Sequence, residues 1–167
     1  MKNRDGFVIG KIVEVNDPEA LGRVKVRYPH LSDTLTEWSS VASIMAGGDR
    51  GCFFMPEIDD EVLVAPQQGD WNHPFIIGFV WNPVQGPPSQ DPRQRMIRSK
   101  NGHTIRMLDS DPVDGNKGAL VIEDPHGNVI TMTDWGITIH SVGTLNISAG
   151  AAVNILGRPV RSIGGPI

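Results

Sequence analysis

GNVITMTDWGITIHSVGTLNISAG, residues 127–150, decides the fold of the second half of the chain. Three short runs that alternate apolar and polar residues follow one another in this stretch, separated at Gly136 and Gly143. Alternation with a period of two places the aliphatic side chains of each run on one face of a β-strand. The stretch therefore predicts short strands that each bury a single face.

The same pattern extends in both directions along the chain. The predicted strands are 104–108, 119–123, 129–133, 137–141, 145–149 and 153–156. One face of these strands is aliphatic, and the other carries mostly threonine, asparagine, histidine and small residues. The aliphatic residues predicted to form the core are Ile105, Met107, Leu120, Ile122, Ile130, Met132, Ile137, Ile139, Leu145, Ile147, Val153 and Ile155.

Burial of this aliphatic stripe is the physical problem that the sequence poses. Strands this short offer about two large aliphatic residues each, and they leave open edges. Three copies wound around a common axis could enclose the stripe, with the backbone paired between chains. We therefore predict a homotrimer whose residues 99–167 form an intertwined β-helix needle. A single-chain β-helix is the alternative, although it usually needs longer and more numerous rungs.

The C-terminal end of the chain differs from an ordinary polar tail. From Trp135 to Ile167 the charged side chains are Arg158 and Arg161, and the chain ends in a glycine-rich, uncharged segment. Such an end suits tight packing or docking of another protein. The predicted tip and docking residues are Arg158, Arg161, Ile163, Gly164, Gly165, Pro166 and Ile167.

The first half of the chain, residues 1–85, has a different pattern. Runs with strand character at 7–15, 22–28, 38–45, 61–66 and 74–81 are separated by turn signals. Residues 22–28 alternate, so that Val24, Val26 and Tyr28 share one face while Arg23, Lys25 and Arg27 share the other. Five short strands at this spacing predict a small barrel.

A proline-rich segment separates the two halves. Four prolines occur in residues 83–95, a composition typical of an extended linker. The predicted organisation is therefore a barrel domain at 1–85, a linker at 86–98 and the needle at 99–167.

Composition excludes several classes of protein. Glycine and proline account for 19 and 13 of the 167 residues, which argues against long helices. No apolar run is long enough to span a bilayer, and the N-terminus has no signal-peptide pattern. The single cysteine, Cys52, excludes an internal disulfide and a zinc cluster built from cysteines of one chain.

Candidate binding sites are few. The basic stripe of Arg23, Lys25 and Arg27 could contact nucleic acid, but Tyr28 faces the other way and the net charge is −4. The acidic residues are arranged as turns rather than as a calcium loop. These residues are Glu57, Asp59, Asp60 and Glu61, and then Asp109, Asp111 and Asp114. The five histidines do not occur at metal-ligand spacing, so we predict no metal, cofactor or catalytic residues.

A series of short motifs runs through the first half of the chain in a fixed order: Gly10–Val13, Asp17–Pro18, Leu21–Arg27, Trp38–Ser40, Ala46–Gly47, Gly51–Glu57, Asp60–Val64, Gly69–Asp70 and Pro74–Asn82. Together these motifs resemble the phage baseplate assembly protein V family, the spikes of contractile tails that are related to the valine-glycine repeat proteins of type VI secretion. The resemblance implies an OB-fold barrel followed by a trimeric β-helix needle, at the centre of a baseplate below the tube and hub.

The resemblance also separates this chain from some relatives. The linker is too short for the lysozyme-like domain that some members carry, and His140 is followed by Ser141 and Val142 rather than by a His-X-His iron site. The implied function is a non-enzymatic homotrimeric spike that caps the tube and pierces a target envelope, contacting its membrane transiently. Implied partners are hub and tube proteins at the barrel and a tip-capping protein at the C-terminus, with assembly in the cytoplasm. The alternative is a nucleic-acid-binding OB-fold protein with an oligomerising tail; a polysaccharide hydrolase is a third hypothesis.

Overall fold

The computed structural model describes residues 6–30, 34–111, 113, 115, 117–154 and 157. The chain divides into two compact units, Met1–Pro87 and Pro88–Ile167. All regular structure in the described residues is β-strand, so the prediction of an all-β protein is confirmed. No segment in these ranges forms a helix long and apolar enough to cross a membrane. The tip residues from Arg158 onward and the core residue Ile155 lie outside the described residues.

The first unit, called the barrel unit below, is built from eight strands. They are β1 (Val8–Glu14), β2 (Arg23–Tyr28), β3 (Thr34–Leu35), β4 (Ser39–Val41), β5 (Ala46–Gly47), β6 (Arg50–Gly51), β7 (Glu61–Gln67) and β8 (Asp70–Phe79). Five of them close on themselves in the order β1-β7-β8-β4-β2, because β1 also pairs with β2. This closed five-stranded barrel agrees with the predicted OB fold.

Bulges and one glycine allow the barrel to curve tightly. The pairing register shifts between Ile12 and Glu14 of β1 and at two places between β7 and β8. Such shifts bend the bulged strand and increase its twist. A Cβ atom on Gly10 would overlap Val26 Cγ1 and would lie 3.1 Å from Val64 Cγ2. Glycine at this position therefore lets β1 approach the neighbouring core side chains.

The core of the barrel is small and aliphatic. It consists of Ile12, Val24, Val26, Tyr28, Val62, Val64 and Ile76. Val24, Val26 and Tyr28 point inward as their alternation predicted, while the three basic residues of β2 point outward. Burial raises the pKa of Tyr28 to about 12, and its ring packs edge-on against Trp71 with the centroids 6.0 Å apart.

The turn between β1 and β2 is organised by one carboxylate. The Asp17 side chain is 3% exposed and accepts hydrogen bonds from the backbone nitrogens of Glu19, Leu21 and Arg23. It also accepts from Nε and Nη2 of the Arg23 guanidinium, both at 2.8 Å. The Arg23 side chain, followed by the backbone N–H groups, holds the pKa of Asp17 well below its ordinary value of 3.8.

The second unit, called the distal unit below, is a single five-stranded antiparallel sheet. Its strands are β9 (Gln94–Arg98), β10 (Thr104–Leu108), β11 (Ala119–Glu123), β12 (Val129–Thr133) and β13 (Gly136–His140). Each strand pairs with the next along the chain, so the sheet is a meander in the order β13-β12-β11-β10-β9. Strands β10, β11 and β12 have the bounds that the alternation predicted.

Polar turns connect these strands. The Asp124 carboxylate accepts from the backbone nitrogens of His126 and Asn128, and its Oδ2 accepts from Asn128 Nδ2 at 2.6 Å. Asn128 Oδ1 in turn accepts from the backbone nitrogen of Val142 at 2.9 Å, just beyond the end of β13. This network fixes the turn between β11 and β12 and holds the chain that leaves the sheet.

Three sequence expectations differ from the structure. Strand β9 lies within residues 86–98, which the proline content had assigned to a linker. Residues 141–154 contain no strand, so the run predicted at 145–149 is unpaired within the described chain. The backbone of β9–β13 pairs within one chain, whereas pairing between chains was expected for this region. Alternation identifies the face of a strand but not its partner, which explains the last difference.

Replacing Gly10 with alanine is expected to destabilise the barrel by about 1–3 kcal/mol, because the added methyl group overpacks against Val26 and Val64. Gly78→Ala is the matched control, since a Cβ atom on this strand glycine would have nothing within 4 Å. The urea midpoint, followed by tryptophan fluorescence, should fall for Gly10→Ala alone. Equal midpoints for the two variants would refute the packing argument.

Asp17→Asn is expected to destabilise the barrel at pH 7, and the difference from the parent protein should shrink as the pH falls below 4. The pKa of Asp17 is lower in the folded state, so its stabilisation is present above the unfolded value of 3.8 and is lost on acidification. Urea midpoints at pH 7, 5 and 3 measure this dependence. Glu19→Gln is the control, because Glu19 contacts the same arginine at 3.3 Å but is 66% exposed. A pH-independent difference for Asp17→Asn would contradict the assignment.

Candidate interaction surfaces

One face of the distal sheet is aliphatic across all five strands, and we call it the aliphatic face. Antiparallel register places its side chains directly opposite one another on neighbouring strands. The first row of partners is Ile97, Ile105, Ile122, Ile130 and Ile139. The second row is Met107, Leu120, Met132 and Ile137. Eight of the predicted core residues therefore lie together on one face, and Ile97 extends it by one strand.

The aliphatic face is open in the single chain. Ile137 is 68% exposed and Ile97 is 55% exposed, while Ile122 and Met132 near the centre of the face still expose more than a third of their surface. Exposed apolar surface of this extent marks an interaction site in soluble proteins. The structure thus places the predicted core residues at a surface that a partner could cover.

The opposite face of the sheet is polar at its edges and has buried residues near its centre. Val121 and Thr104 are buried there, and Arg106 Nη2 lies 3.1 Å from Glu123 Oε2 on the neighbouring strand. His140 also belongs to this face, where it is exposed opposite Val129. The prediction that His140 points away from the aliphatic residues is consistent with this register.

Charges bound the aliphatic face near the start of β9. Arg95 lies opposite Met107 and continues the second row, and its guanidinium pairs with Asp109. Arg93 pairs with Asp91 and Asp111, and this pairing lowers the pKa of Asp91. Asp109 and Asp111, two candidates for calcium ligands, are thus bound to arginines, and Asp114 lies outside the described residues.

The other predicted core residues lie beyond the sheet. Leu145, Ile147 and Val153 follow β13 in the segment without strands, and each exposes about half or more of its surface. Sequence reasoning missed Ile97 and Arg95, because the two arginines of Gln94–Arg98 mask the alternation that a strand would show. The sequence did contain a signal for this strand. Arg95 and Ile97 are two residues apart, as side chains on one face of a strand are, and a turn follows at Gly102.

The barrel unit has a second apolar surface, which we call the barrel patch. It surrounds a groove of about 860 Å³ between the β5–β6 hairpin, the segment that follows it and strand β8. The large exposed residues of the patch are Leu21, Ile44, Met45, Phe53, Phe54, Ile77 and Phe79. Ile44 is 92% exposed and Phe53 is 80% exposed, so their apolar surface faces solvent in the single chain.

The basic stripe of β2 is largely neutralised by acidic neighbours. Arg23 contacts Asp17 and Glu19, and Lys25 Nζ lies 3.4 Å from Glu14 and 4.8 Å from the ring centroid of Trp38. Cations engaged in this way are poorly placed to replace counterions on a phosphate backbone. The geometry therefore does not favour the nucleic-acid-binding alternative.

The acidic turn before β7 has a structural arrangement. Asp60 Oδ2 accepts from the backbone nitrogen of Glu57 at 2.9 Å, and Asp59 lies 3.1 Å from Lys11 Nζ. Within the described ranges, no group of three or more histidine, cysteine or acidic residues could hold a metal ion. Cys52 is partly exposed and lines the groove of the barrel patch.

Comparison with known families agrees with the barrel. Residues 8–81 match the family described as the type VI secretion system and phage-baseplate injector OB domain. The match covers the strands β1 to β8, from Val8 to the residues that follow Phe79. It confirms the resemblance that the sequence motifs indicated.

Curated relatives are spike proteins of type VI secretion systems from Pseudomonas aeruginosa. The chain is 30% identical to VgrG2a over 130 residues, which cover 72% of this chain and 15% of that protein. It is 30% identical to VgrG1a over 122 residues, or 67% of this chain and 19% of the relative. It is 28% identical to VgrG5 over 137 residues, or 77% and 17%. The chain thus spans a small part of each relative. Residues 8–81 belong to the family of type VI secretion system and phage-baseplate injector OB domains, and the similarity to type VI spike proteins extends over 67–77% of the chain.

Proposed function

We propose that the chain is the central spike of a contractile injection particle and that it works as a homotrimer. The observation that supports this proposal is the aliphatic face, in which one row of large apolar residues crosses five strands, a second row crosses four, and both are left open. Family membership supports a spike-related role, and the open aliphatic face gives the chain a physical reason to associate with other copies of itself.

The geometry of the face favours an arrangement around an axis. Rows of cross-strand partners run perpendicular to the strands, so three sheets packed through these faces would align six rows along a threefold axis. The nine side chains of one face offer on the order of 500 Å² of apolar surface, which approaches the roughly 800 Å² per partner of a standard interface. Five strands at about 4.8 Å would form a stem about 20 Å long.

Such a stem would resist compression along its axis. The strands of each meander lie across the proposed axis, and successive strands are hydrogen-bonded to one another along it. Axial load would then press neighbouring backbones together rather than pull their hydrogen bonds apart. This response to axial load fits a spike that pierces an envelope.

The spike role implies partners and a place of action. In our proposal the homotrimer sits at the centre of a baseplate, with hub and tube proteins at the barrel end and a tip-capping protein at the C-terminal end. It assembles in the cytoplasm and touches the target membrane transiently. In this proposal its role is mechanical rather than enzymatic, and the carboxylates at the end of the distal sheet serve in ion pairs with Arg93 and Arg95.

Light scattering after size exclusion is expected to give three times the chain mass of 18.2 kDa. The double variant Ile137→Asn and Ile139→Asn should lose this association or weaken it by at least about tenfold, because it places two amides in the apolar interface. Both side chains are exposed in the single chain, so their replacement should not unfold it.

Thr138→Asn with His140→Asn is the matched control, because these residues alternate with the isoleucines on the same strand and face the other way. This control should keep the trimeric mass. A parent protein of 18.2 kDa in solution, or equal masses for the two double variants, would overturn the proposal.

Peptidoglycan turnover tests the non-enzymatic part of the proposal. The purified full chain is expected to release no soluble fragments from peptidoglycan, measured against a buffer blank and a lysozyme positive control. Release that depends on protein concentration would assign the chain a catalytic role instead.

A further inference from the structure

The barrel patch belongs to the barrel unit, and none of its residues is part of the aliphatic face. We propose that the barrel patch of one copy packs against the barrel patches of the other two copies, so that the barrels associate with each other as well as the distal sheets. This inference rests on the proposed homotrimer and deepens it, since it assigns the second interface and its occupant.

The size of the patch is the first argument. Its seven large residues expose between 41% and 92% of their surface, which amounts to an apolar area on the order of 700 Å². The largest apolar patch of a typical monomer is about 300–600 Å². An area near the roughly 800 Å² per partner of a standard interface can support a specific contact with a folded protein surface.

The chemistry of the patch points to a partner like itself. Among the residues that line the groove, the charged ones are Asp49 and Arg50, one of each sign. The surface thus has no net charge to attract a polyanion or a strongly charged protein. An apolar, neutral surface is complementary to another apolar, neutral surface, and any other copy of the chain provides such a surface.

The short segment 86–93 between the barrel and strand β9 gives this contact a large entropic advantage. Residues 86–93 join the turn held by Asn82 to strand β9 and can span at most about 30 Å. Once the distal sheets have associated, the three barrels are confined near one another at an effective concentration in the millimolar range. A contact too weak to form between separate chains would therefore form within the trimer.

The native cysteine provides the test. Cys52 is the only cysteine of the sequence, and it lines the groove while remaining partly exposed in the single chain. We expect N-ethylmaleimide to modify Cys52 of the full-length trimer slowly. The double variant Ile44→Ser and Phe79→Ser should accelerate this reaction by at least about tenfold by opening the contact.

Both substitutions are neutral, so they leave the charge around the thiol unchanged, and Ile44 is 92% exposed, so its replacement removes little packing within the barrel. Ile44→Ser alone should therefore fold normally and give an intermediate rate. The matched control is Phe7→Ser with Leu35→Ser, two comparably exposed apolar residues outside the patch, which should react like the parent.

Mass measured on the same samples separates the two proposals. A trimer in which Cys52 reacts equally fast in the parent and the patch variant would overturn the barrel contact and leave the spike proposal standing. A monomeric parent would overturn both. Fast labelling in buffer that slows only with phosphatidylglycerol vesicles, or only with a separate hub protein, would assign the patch to that occupant and overturn contact between copies.

Discussion

A sheet has two faces, and the distal sheet of this protein has nothing within the described chain to cover one of them. A single layer of β-structure cannot form a core, because a core needs a second layer packed on the apolar face. Ile105, Ile122 and Ile130 lie in register at the centre of that uncovered face. The sheet is therefore half of a two-layered structure, and a second layer on this face would complete a core.

The barrel solves the same burial problem within one chain. Closure of five strands provides the second layer, so Ile12, Val26 and Val64 are fully buried without a partner. Closure demands close approach of the strands, which Gly10 allows, and an ordered turn, which Asp17 and Arg23 provide. The outer surface of the barrel is divided in turn, with paired charges along β2 and apolar residues around the groove.

The alternation of apolar and polar residues predicted the side-chain directions within single strands. It missed features that depend on how strands and segments come together in the fold. Alternation placed Val24 inward, and it placed Ile137 and Ile139 on one face, because side-chain direction follows from local geometry alone. It could not show that β10 pairs with β9. Arg95 and Arg98 make this segment resemble a linker in the sequence, and its strand character becomes visible only when its backbone is hydrogen-bonded to β10. It also could not detect the barrel patch, because Ile44, Phe53 and Phe79 come from separate segments that only the tertiary fold brings together.

The two apolar surfaces differ in what they could determine. Rows of side chains in fixed register allow few alternative alignments, because a slip by one residue would bring the polar face of a strand against its partner. The aliphatic face is thus suited to fix the number and the register of copies. A groove edged by loops is less restrictive, and on its own it would permit open-ended association. Tethering by residues 86–93 would limit association through the groove to the copies already joined by their aliphatic faces. The aliphatic face would therefore determine which copies meet at the barrel patch.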